Sequence, residues 1–174
     1  FKNKFAYYNY YTYLCNNKNK RIMTNYKEQI PEITLKFKKH PNQFTAKILS
    51  SQDAFNLLKK FYDQDTIELC ESVIALFLDR SNKSIGWLKV SQGGISASVV
   101  DVRLILVTAI KCGASSIMLS HNHPSGELSP SNPDILITNK LKTGAETLDI
   151  TLLDHIIVND TLDNYFSFAD DGRL

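Results

Sequence analysis

Apolar and polar residues follow two periods along the chain after residue 70, and together they predict six elements. Continuous apolar runs bounded by turn residues are typical of buried strands, and apolar positions three and four apart are typical of helices. The predicted strands are 71–79, 85–90, 116–121 and 150–158, and the predicted helices are 98–113 and 132–147. The order β-β-α-β-α-β predicts an α/β fold of the mixed α+β kind, in which helices flank a mixed sheet.

A smaller group of elements is predicted ahead of this sheet. Alternating apolar residues predict strands over 32–38 and 45–49, and helical spacing predicts a helix over 51–62. We therefore expect a small N-terminal α+β lead-in over 23–65, which packs on a main domain over 66–174.

The first 22 residues differ in composition from the rest of the chain. Seventeen of them are Phe, Lys, Asn, Tyr or Ile, and they show no sustained apolar period. Because the codons of these residues are rich in A and T, we expect a disordered or spurious leader, with Met23 as the natural start. The alternative is a nucleic-acid-binding arm, in which tyrosines stack on bases while Lys18, Lys20 and Arg21 contact phosphates.

Charge is distributed unevenly along the chain, whose formal net charge is +2. Residues 1–50 contain ten Lys or Arg and two acidic residues, whereas residues 51–174 contain ten Lys or Arg and sixteen acidic residues. The main domain is therefore acidic, which makes it a poor electrostatic partner for a phosphate backbone. Any nucleic-acid binding that depends on charge is expected near the N-terminus.

Length, cysteine content and hydropathy limit the class of protein. The 174 residues suffice for one domain with a core and a small appendage. Three cysteines without C-x-x-C spacing indicate neither a disulfide framework nor a cysteine-rich zinc site, and they favour a reducing cytoplasm. No stretch approaches the roughly 18 uninterrupted apolar residues of a membrane span. We expect a soluble cytoplasmic protein without a membrane partner, and its oligomeric state stays open.

Two histidines and an aspartate in the main domain have the spacing of a metal site. His121 and His123 stand two apart at the end of a predicted strand, so their side chains project to the same side. Asp134 follows eleven residues after His123, in the first turn of the predicted helix 132–147. Two imidazoles and a carboxylate supply three of the four ligands of a catalytic zinc ion, which leaves one position for water.

The same aspartate also has a structural interpretation. Ser131 and Asp134 form an S-x-x-D capping pattern ahead of an apolar run, and Pro133 stands where a helix tolerates proline. A carboxylate in a first helical turn is favoured by the helix dipole without any metal. Ser131 alone is more typical of a cap than of a catalyst. The capping interpretation nevertheless leaves the two histidines unexplained.

The residues around this site resemble a known family. The segment Ser120–Gly126, followed by Pro130-Ser131-x-x-Asp134, resembles the JAMM motif, H-x-H-x7-S-x2-D, of the JAB/MPN metalloprotease superfamily. The form of the motif is similar to that of the RadC-like branch. The resemblance extends from about residue 67 to the C-terminus, through the segments 91–94, 153–157 and 165–168.

This resemblance implies a fold, a cofactor and a reaction. The implied fold is MPN/JAB-like (cytidine deaminase-like), with helices on the faces of a mixed sheet. The implied cofactor is a Zn2+ ion held by His121, His123 and Asp134, with water in its open position. The implied reaction is hydrolysis of a peptide or isopeptide bond, so a substrate of that class is the expected partner.

The resemblance also implies roles for two further residues. The family places a glutamate on an early strand, where it acts as general base toward the attacking water, and Glu71 stands at that position. Glu68 is the rival, although at three residues' distance it would face the opposite side of a strand. The Ser131 hydroxyl is the implied partner of the oxyanion.

Two other functions stay open. The RadC-like branch is associated with DNA, which suggests a DNA-repair or mobile-element accessory protein that binds nucleic acid or a protein partner. The usual glycine hairpin of its DNA-associated segment does not occur in this sequence. A module that holds zinc without turnover is the second alternative.

Asp154 and His155 lie among apolar residues in the last predicted strand. A histidine among apolar residues is more often a hydrogen-bonded core residue than a ligand. We therefore place His155 outside the ligand set. Asp154 is expected either to bond with the backbone or to orient a ligand.

Overall fold

The computed structural model describes residues 45–93 and 100–174, and five strands in this part of the chain form one sheet. The strands are β1 (Ser72–Leu78), β2 (Ser84–Gln92), β3 (Ser116–Asn122), β4 (Thr151–Val158) and β5 (Tyr165–Ser167). Their order across the sheet is β2-β1-β3-β4-β5, with β3 and β4 parallel and the other neighbouring pairs antiparallel. The predicted mixed sheet is confirmed, and β5 is a strand that the sequence pattern did not reveal.

Helices cover both faces of the sheet. The α-helices of the described residues are α1 (Ser51–Leu58), α2 (Val102–Cys112) and α3 (Asn132–Glu146). Successive side chains of a strand point to opposite faces, so the fully buried strand β1 contributes to two cores. One core contains buried residues of α2 and α3, and we call this side the two-helix face. The other core contains buried residues of α1, and we call this side the one-helix face.

Helix α2 begins later than the sequence predicted. It starts at Val102 because Asp101 caps it, and Oδ1 of Asp101 accepts the backbone N–H of Arg103 at 3.0 Å. Ser98, the first residue of the predicted helix, lies outside the described residues. The predicted end of the helix is confirmed, since Gly113 adopts the left-handed conformation with a φ of 69° that this position favours.

The described end of the lead-in contains one predicted element and lacks another. The predicted strand over 45–49 is wrong, because this segment makes only an isolated bridge between Lys47 and Lys83. The predicted helix over 51–62 is divided into α1 and a short 3-10 helix, Lys59–Phe61. Helix α1 packs on the one-helix face, as expected of an element that depends on the sheet for burial.

Other parts of the predicted organisation lie outside the described residues. They are the leader or nucleic-acid arm over 1–22 and the predicted strand over 32–38. The division into a lead-in over 23–65 and a main domain over 66–174 stays a prediction. None of the helices in the described part of the chain is long and apolar enough to cross a membrane.

Asn122, the last residue of β3, fixes the segment that leads into β1. Its side chain is fully buried, and its Oδ1 accepts the backbone N–H of Ser72 at 2.7 Å. Its Nδ2 donates to the carbonyl oxygens of Ile67 at 2.8 Å and Cys70 at 3.1 Å. Glu71 lies between Cys70 and Ser72, so Asn122 anchors the backbone on both sides of this glutamate.

We expect Asn122→Ala to lower the free energy of unfolding by about 3 kcal/mol, since three backbone groups lose their partner at a cost of about 1 kcal/mol or more each. Urea unfolding followed by circular dichroism measures the change. The exposed Asn139→Ala is the control and should change stability by less than about 0.5 kcal/mol. Equal effects of the two substitutions would contradict the anchoring role of Asn122.

Candidate metal centre

His121 and His123 lie together at the end of the central strand β3. His121 is paired on one side with Val73 of β1 and on the other with Ile157 of β4. His123 follows the strand, and its backbone N–H donates to the carbonyl oxygen of Val158 at 3.0 Å. The two rings are 4.7 Å apart between centroids, with His121 buried and His123 partly exposed. The strand thus directs both rings to one side, as the spacing predicted.

Asp134 reaches the histidines from the first turn of α3. Ser131 caps this helix: its Oγ accepts the backbone N–H of Asp134 at 3.3 Å, and Oδ2 of Asp134 accepts the backbone N–H of Ser131 at 2.8 Å. The Ser131 hydroxyl also donates to Oδ2 of Asp134 at 2.6 Å. The other carboxylate oxygen, Oδ1, faces Nε2 of His121 at 3.2 Å. The capping box therefore orients the carboxylate toward the histidines, and the two interpretations of Asp134 are compatible.

The ligating atoms of these three residues converge on one point. Nε2 of His121 lies 2.9 Å from Nε2 of His123 and 3.2 Å from Oδ1 of Asp134. Nε2 of His123 lies 3.5 Å from Oδ2 of Asp134. These distances involve both oxygens of Asp134, and one ligating atom of each residue lies within 4.8 Å of the other two. Ligands of a tetrahedral ion with bonds of about 2.0 to 2.1 Å are about 3.3 Å apart. The predicted residues therefore form a group that can hold a metal ion.

The electrostatics of this group favour an ionised carboxylate beside the imidazoles. Burial alone would raise the pKa of Asp134, but its contacts with the imidazoles of His121 and His123 outweigh burial and hold that pKa well below its usual range. The hydrogen bond with Asp134 raises the pKa of His123 against the opposing effect of burial, and the charge of Glu71 acts in the same direction.

Glu71 lies beside the metal-binding group. Its carbonyl oxygen accepts the backbone N–H of Gly93 at 2.8 Å, and it stands two residues before the residue of β1 that pairs with His121. Glu71 itself precedes the first residue of β1, and its charge acts on both His123 and Tyr62. The Glu71 side chain is half-buried and close enough to His123 to contribute to the raised pKa of that group. Glu68, the rival glutamate, is exposed.

Two buried side chains behind His121 belong to the same hydrogen-bond network. Nε2 of His155 lies 2.8 Å from Nδ1 of His121, and Nδ1 of His155 lies 2.6 Å from Oγ1 of Thr138. The Thr138 hydroxyl in turn donates to the carbonyl oxygen of Asp134 at 2.6 Å. Burial, followed by the influence of His121, lowers the pKa of His155 well below its usual value, so its ring is neutral.

The sequence analysis missed Thr138 and left His155 without a function. Thr138 stands four residues after Asp134, and this spacing places both on one side of a helix. That spacing was the available signal. The group that can hold a metal ion does not include His155, which contacts the back of a ligand instead.

Asp154 has the first of the two roles left open by the sequence. Its Oδ1 accepts the backbone N–H groups of His155 at 2.7 Å and Ala169 at 3.0 Å, and its Oδ2 accepts the hydroxyl of Ser167 at 2.7 Å. Burial raises the pKa of the Asp154 carboxyl, and these hydrogen bonds oppose the change. Asp154 thus connects β4 to the C-terminal segment.

Comparison with protein families and comparison with individual proteins identify the same family. The RadC-like JAB domain family matches residues 48–173 of this chain. A UPF0758 protein from Flavobacterium johnsoniae is 44% identical over 126 residues, which cover 72% of this chain and 53% of that protein. A UPF0758 protein from Aquifex aeolicus is 39% identical over 143 residues, which cover 82% of this chain and 58% of that protein.

A relative from an archaeon extends the range of organisms. A UPF0758 protein from Methanosarcina mazei is 38% identical over 126 residues, which cover 72% of this chain and 53% of that protein. The chain spans somewhat more than half the length of these curated relatives. The matched region contains every element that carries the metal-binding group. The resemblance inferred from the motif is therefore confirmed, and the chain belongs to the RadC-like JAB domain family.

Proposed function

We propose that this protein is a zinc-dependent metallopeptidase-type hydrolase that cleaves a peptide or isopeptide bond. The observation that carries the proposal is the grouping of His121, His123 and Asp134, each of which offers one ligating atom within 4.8 Å of the other two. Membership of a JAB domain family supports a hydrolase.

The donor set supports zinc as the metal. His121 and His123 would supply nitrogen ligands, and Asp134 would supply oxygen. Magnesium prefers an oxygen shell with several waters, whereas zinc is commonly bound by imidazole and carboxylate together. When bound, a zinc ion supplies a Lewis acid and makes a water in its open position more acidic.

Glu71 is the proposed general base and general acid. Its carboxylate takes a proton from the attacking water, whose oxygen forms a bond with the carbonyl carbon of the substrate. As the C–N bond breaks, the Glu71 carboxyl returns the proton to the leaving nitrogen, so the products are a carboxylic acid, which keeps the other proton of the water, and an amine. The anchoring of the flanking backbone by Asn122 supports this role, because proton transfer requires a fixed geometry.

Ser131 has two proposed contributions. Its hydroxyl donates to Oδ2 of Asp134, which supports a role in orienting this ligand. Direct stabilisation of the oxyanion by the same hydroxyl would require that hydrogen bond to be exchanged during the reaction, and it stays a prediction.

The proposed partner is a peptide or an isopeptide-linked protein in a reducing cytoplasm. Among the described residues, Cys70 and Cys112 are free thiols, which is compatible with that compartment. The alternative role in nucleic-acid binding stays a prediction, and the nucleic-acid arm considered over residues 1–22 lies outside the described residues.

Zinc content is the first test of the proposal. We expect about one zinc per chain by inductively coupled plasma mass spectrometry on protein purified without a histidine tag, and loss of that zinc in Asp134→Ala. The exposed Asp65→Ala is the matched control and should retain the metal. A parent protein that takes up no zinc after incubation and dialysis would exclude the proposed centre.

Glu71→Gln tests the proposed proton transfer. We expect zinc to be retained and hydrolysis to fall by about 100-fold or more, because the amide cannot accept a proton from water. The assay incubates proteome-derived peptides in 18O-labelled water and detects new labelled carboxyl termini by mass spectrometry.

The matched control for this experiment is Glu68→Gln, which changes an exposed glutamate and should cleave as the parent does. Cleavage by Glu71→Gln at the rate of the parent would remove Glu71 from the mechanism. A zinc-loaded parent that cleaves no peptide and no isopeptide-linked substrate would favour the binding module instead.

A further inference from the structure

The hydrogen-bond network behind His121 reaches two of the three metal-binding residues. We propose that Thr138 and His155 are positioning residues that hold His121 in the one tautomer able to bind a metal ion. The inference rests on the proposed metal centre, although it does not depend on which bond is hydrolysed. Neither residue offers a ligand atom to the metal-binding group.

Different contacts determine which ring nitrogen carries the proton in His121 and in His123. Nδ1 of His123 lies 2.6 Å from the carbonyl oxygen of Glu127. A carbonyl oxygen only accepts, so Nδ1 of His123 carries the proton and Nε2 keeps its lone pair for a metal ion. Nδ1 of His121 faces another imidazole, that of His155, at 2.8 Å. An imidazole nitrogen can donate or accept, so this contact does not fix His121 by itself.

Thr138 determines which atoms donate and which accept in this hydrogen-bond network. Its single hydroxyl proton is donated to the carbonyl oxygen of Asp134, and the Thr138 oxygen is then an acceptor for Nδ1 of His155 at 2.6 Å. His155 is 1% exposed and, among the described residues, its ring nitrogens contact only Thr138 and His121, so no carboxylate partner stabilises a second proton on this ring. The ring therefore carries its proton on Nδ1 and accepts at Nε2. Its partner at Nε2 is Nδ1 of His121, which must donate. Nε2 of His121 is left with a lone pair that faces the other two ligands.

The reversed direction would oppose metal binding. A proton on Nε2 of His155 would make Nδ1 of His121 an acceptor and leave a proton on Nε2 of His121, where the metal ion binds. His155 is 1% exposed and its ring is stacked on Phe168 at 4.8 Å, so solvent does not provide a substitute partner. The hydroxyl of Thr138 is therefore the group that selects the tautomer. It also joins the backbone of Asp134 to His121 through three hydrogen bonds and the His155 ring.

Thr138→Val tests this selection because it preserves the shape of the side chain and removes only the hydroxyl. We expect the zinc affinity of the full chain, measured by competition with a chromophoric chelator at fixed pH, to fall by about 10- to 100-fold. Thr138→Ser restores the hydroxyl and should return the affinity toward that of the parent. Thr143→Val, which changes an exposed threonine of the same helix, is the matched control and should bind zinc as the parent does. The melting temperature of each metal-free variant identifies losses that come from unfolding.

Nitrogen-15 NMR of the zinc-loaded parent gives a second readout that packing alone would not change. We expect His155 to be protonated at Nδ1 and to accept at Nε2, and His121 to be protonated at Nδ1. Unchanged zinc affinity in Thr138→Val, or a His155 protonated at Nε2, would overturn the positioning role while the metal centre stands. Failure of the parent itself to bind zinc would overturn the proposed function and this inference together.

Discussion

The candidate metal centre and the side chains that anchor the structure around it depend on the alternation of side chains at the end of β3. His121 projects to the two-helix face together with the ring of His123, whereas Ser120 and Asn122 project to the one-helix face. Ser120 lies 2.7 Å from the hydroxyl of Tyr62, and Asn122 anchors the backbone before β1. A shift of one residue in strand pairing would exchange the ligands for the anchors. Because β3 is hydrogen-bonded to β1 and β4, its register is fixed on both sides.

Asp134, the third residue of the candidate metal centre, lies in the first turn of α3. Its position there follows from the local sequence at the N-terminus of the helix. A carboxylate at the third helical position closes the capping box with Ser131 and is stabilised by the helix dipole. One oxygen of Asp134 is occupied by the cap, and the other faces His121. The helix therefore presents a charged oxygen to the site in a fixed orientation. Capping and metal binding are two consequences of one local structure.

Local patterns in the sequence predicted most of the fold and the ligand group, and the failures have physical causes. Gly113 and the apolar run of β1 are local signals, so the end of α2 and a buried strand could be predicted. The segment 45–49 has the residue types of a strand but pairs only through Lys47. Strand pairing depends also on the segment that lies beside it in the fold, which the local sequence does not show. The strand β5 has three residues, too few to show a period.

The same difference between local and distant signals applies to the site. His121, His123 and Asp134 are close enough in sequence for their spacing to be recognised. The contact between His121 and His155 instead joins two residues that are 34 positions apart. Its existence depends on the parallel pairing of β3 with β4, in which Leu119 is the partner of His155. A buried histidine among apolar residues looks the same in sequence whether it supports a ligand or only fills a core. The role of His155 therefore required the structure.

The hydrogen bonds that hold the ligands do not themselves require a metal ion. The capping box orients Asp134, the carbonyl of Glu127 orients His123, and His155 contacts His121. In the described part of the chain, no buried polar side-chain atom lacks a hydrogen-bond partner. Small zinc domains are different, because they lack a sufficient core and fold only when the metal binds. Here two apolar cores support the sheet, and hydrogen bonds within the fold orient the three residues that can hold a metal ion.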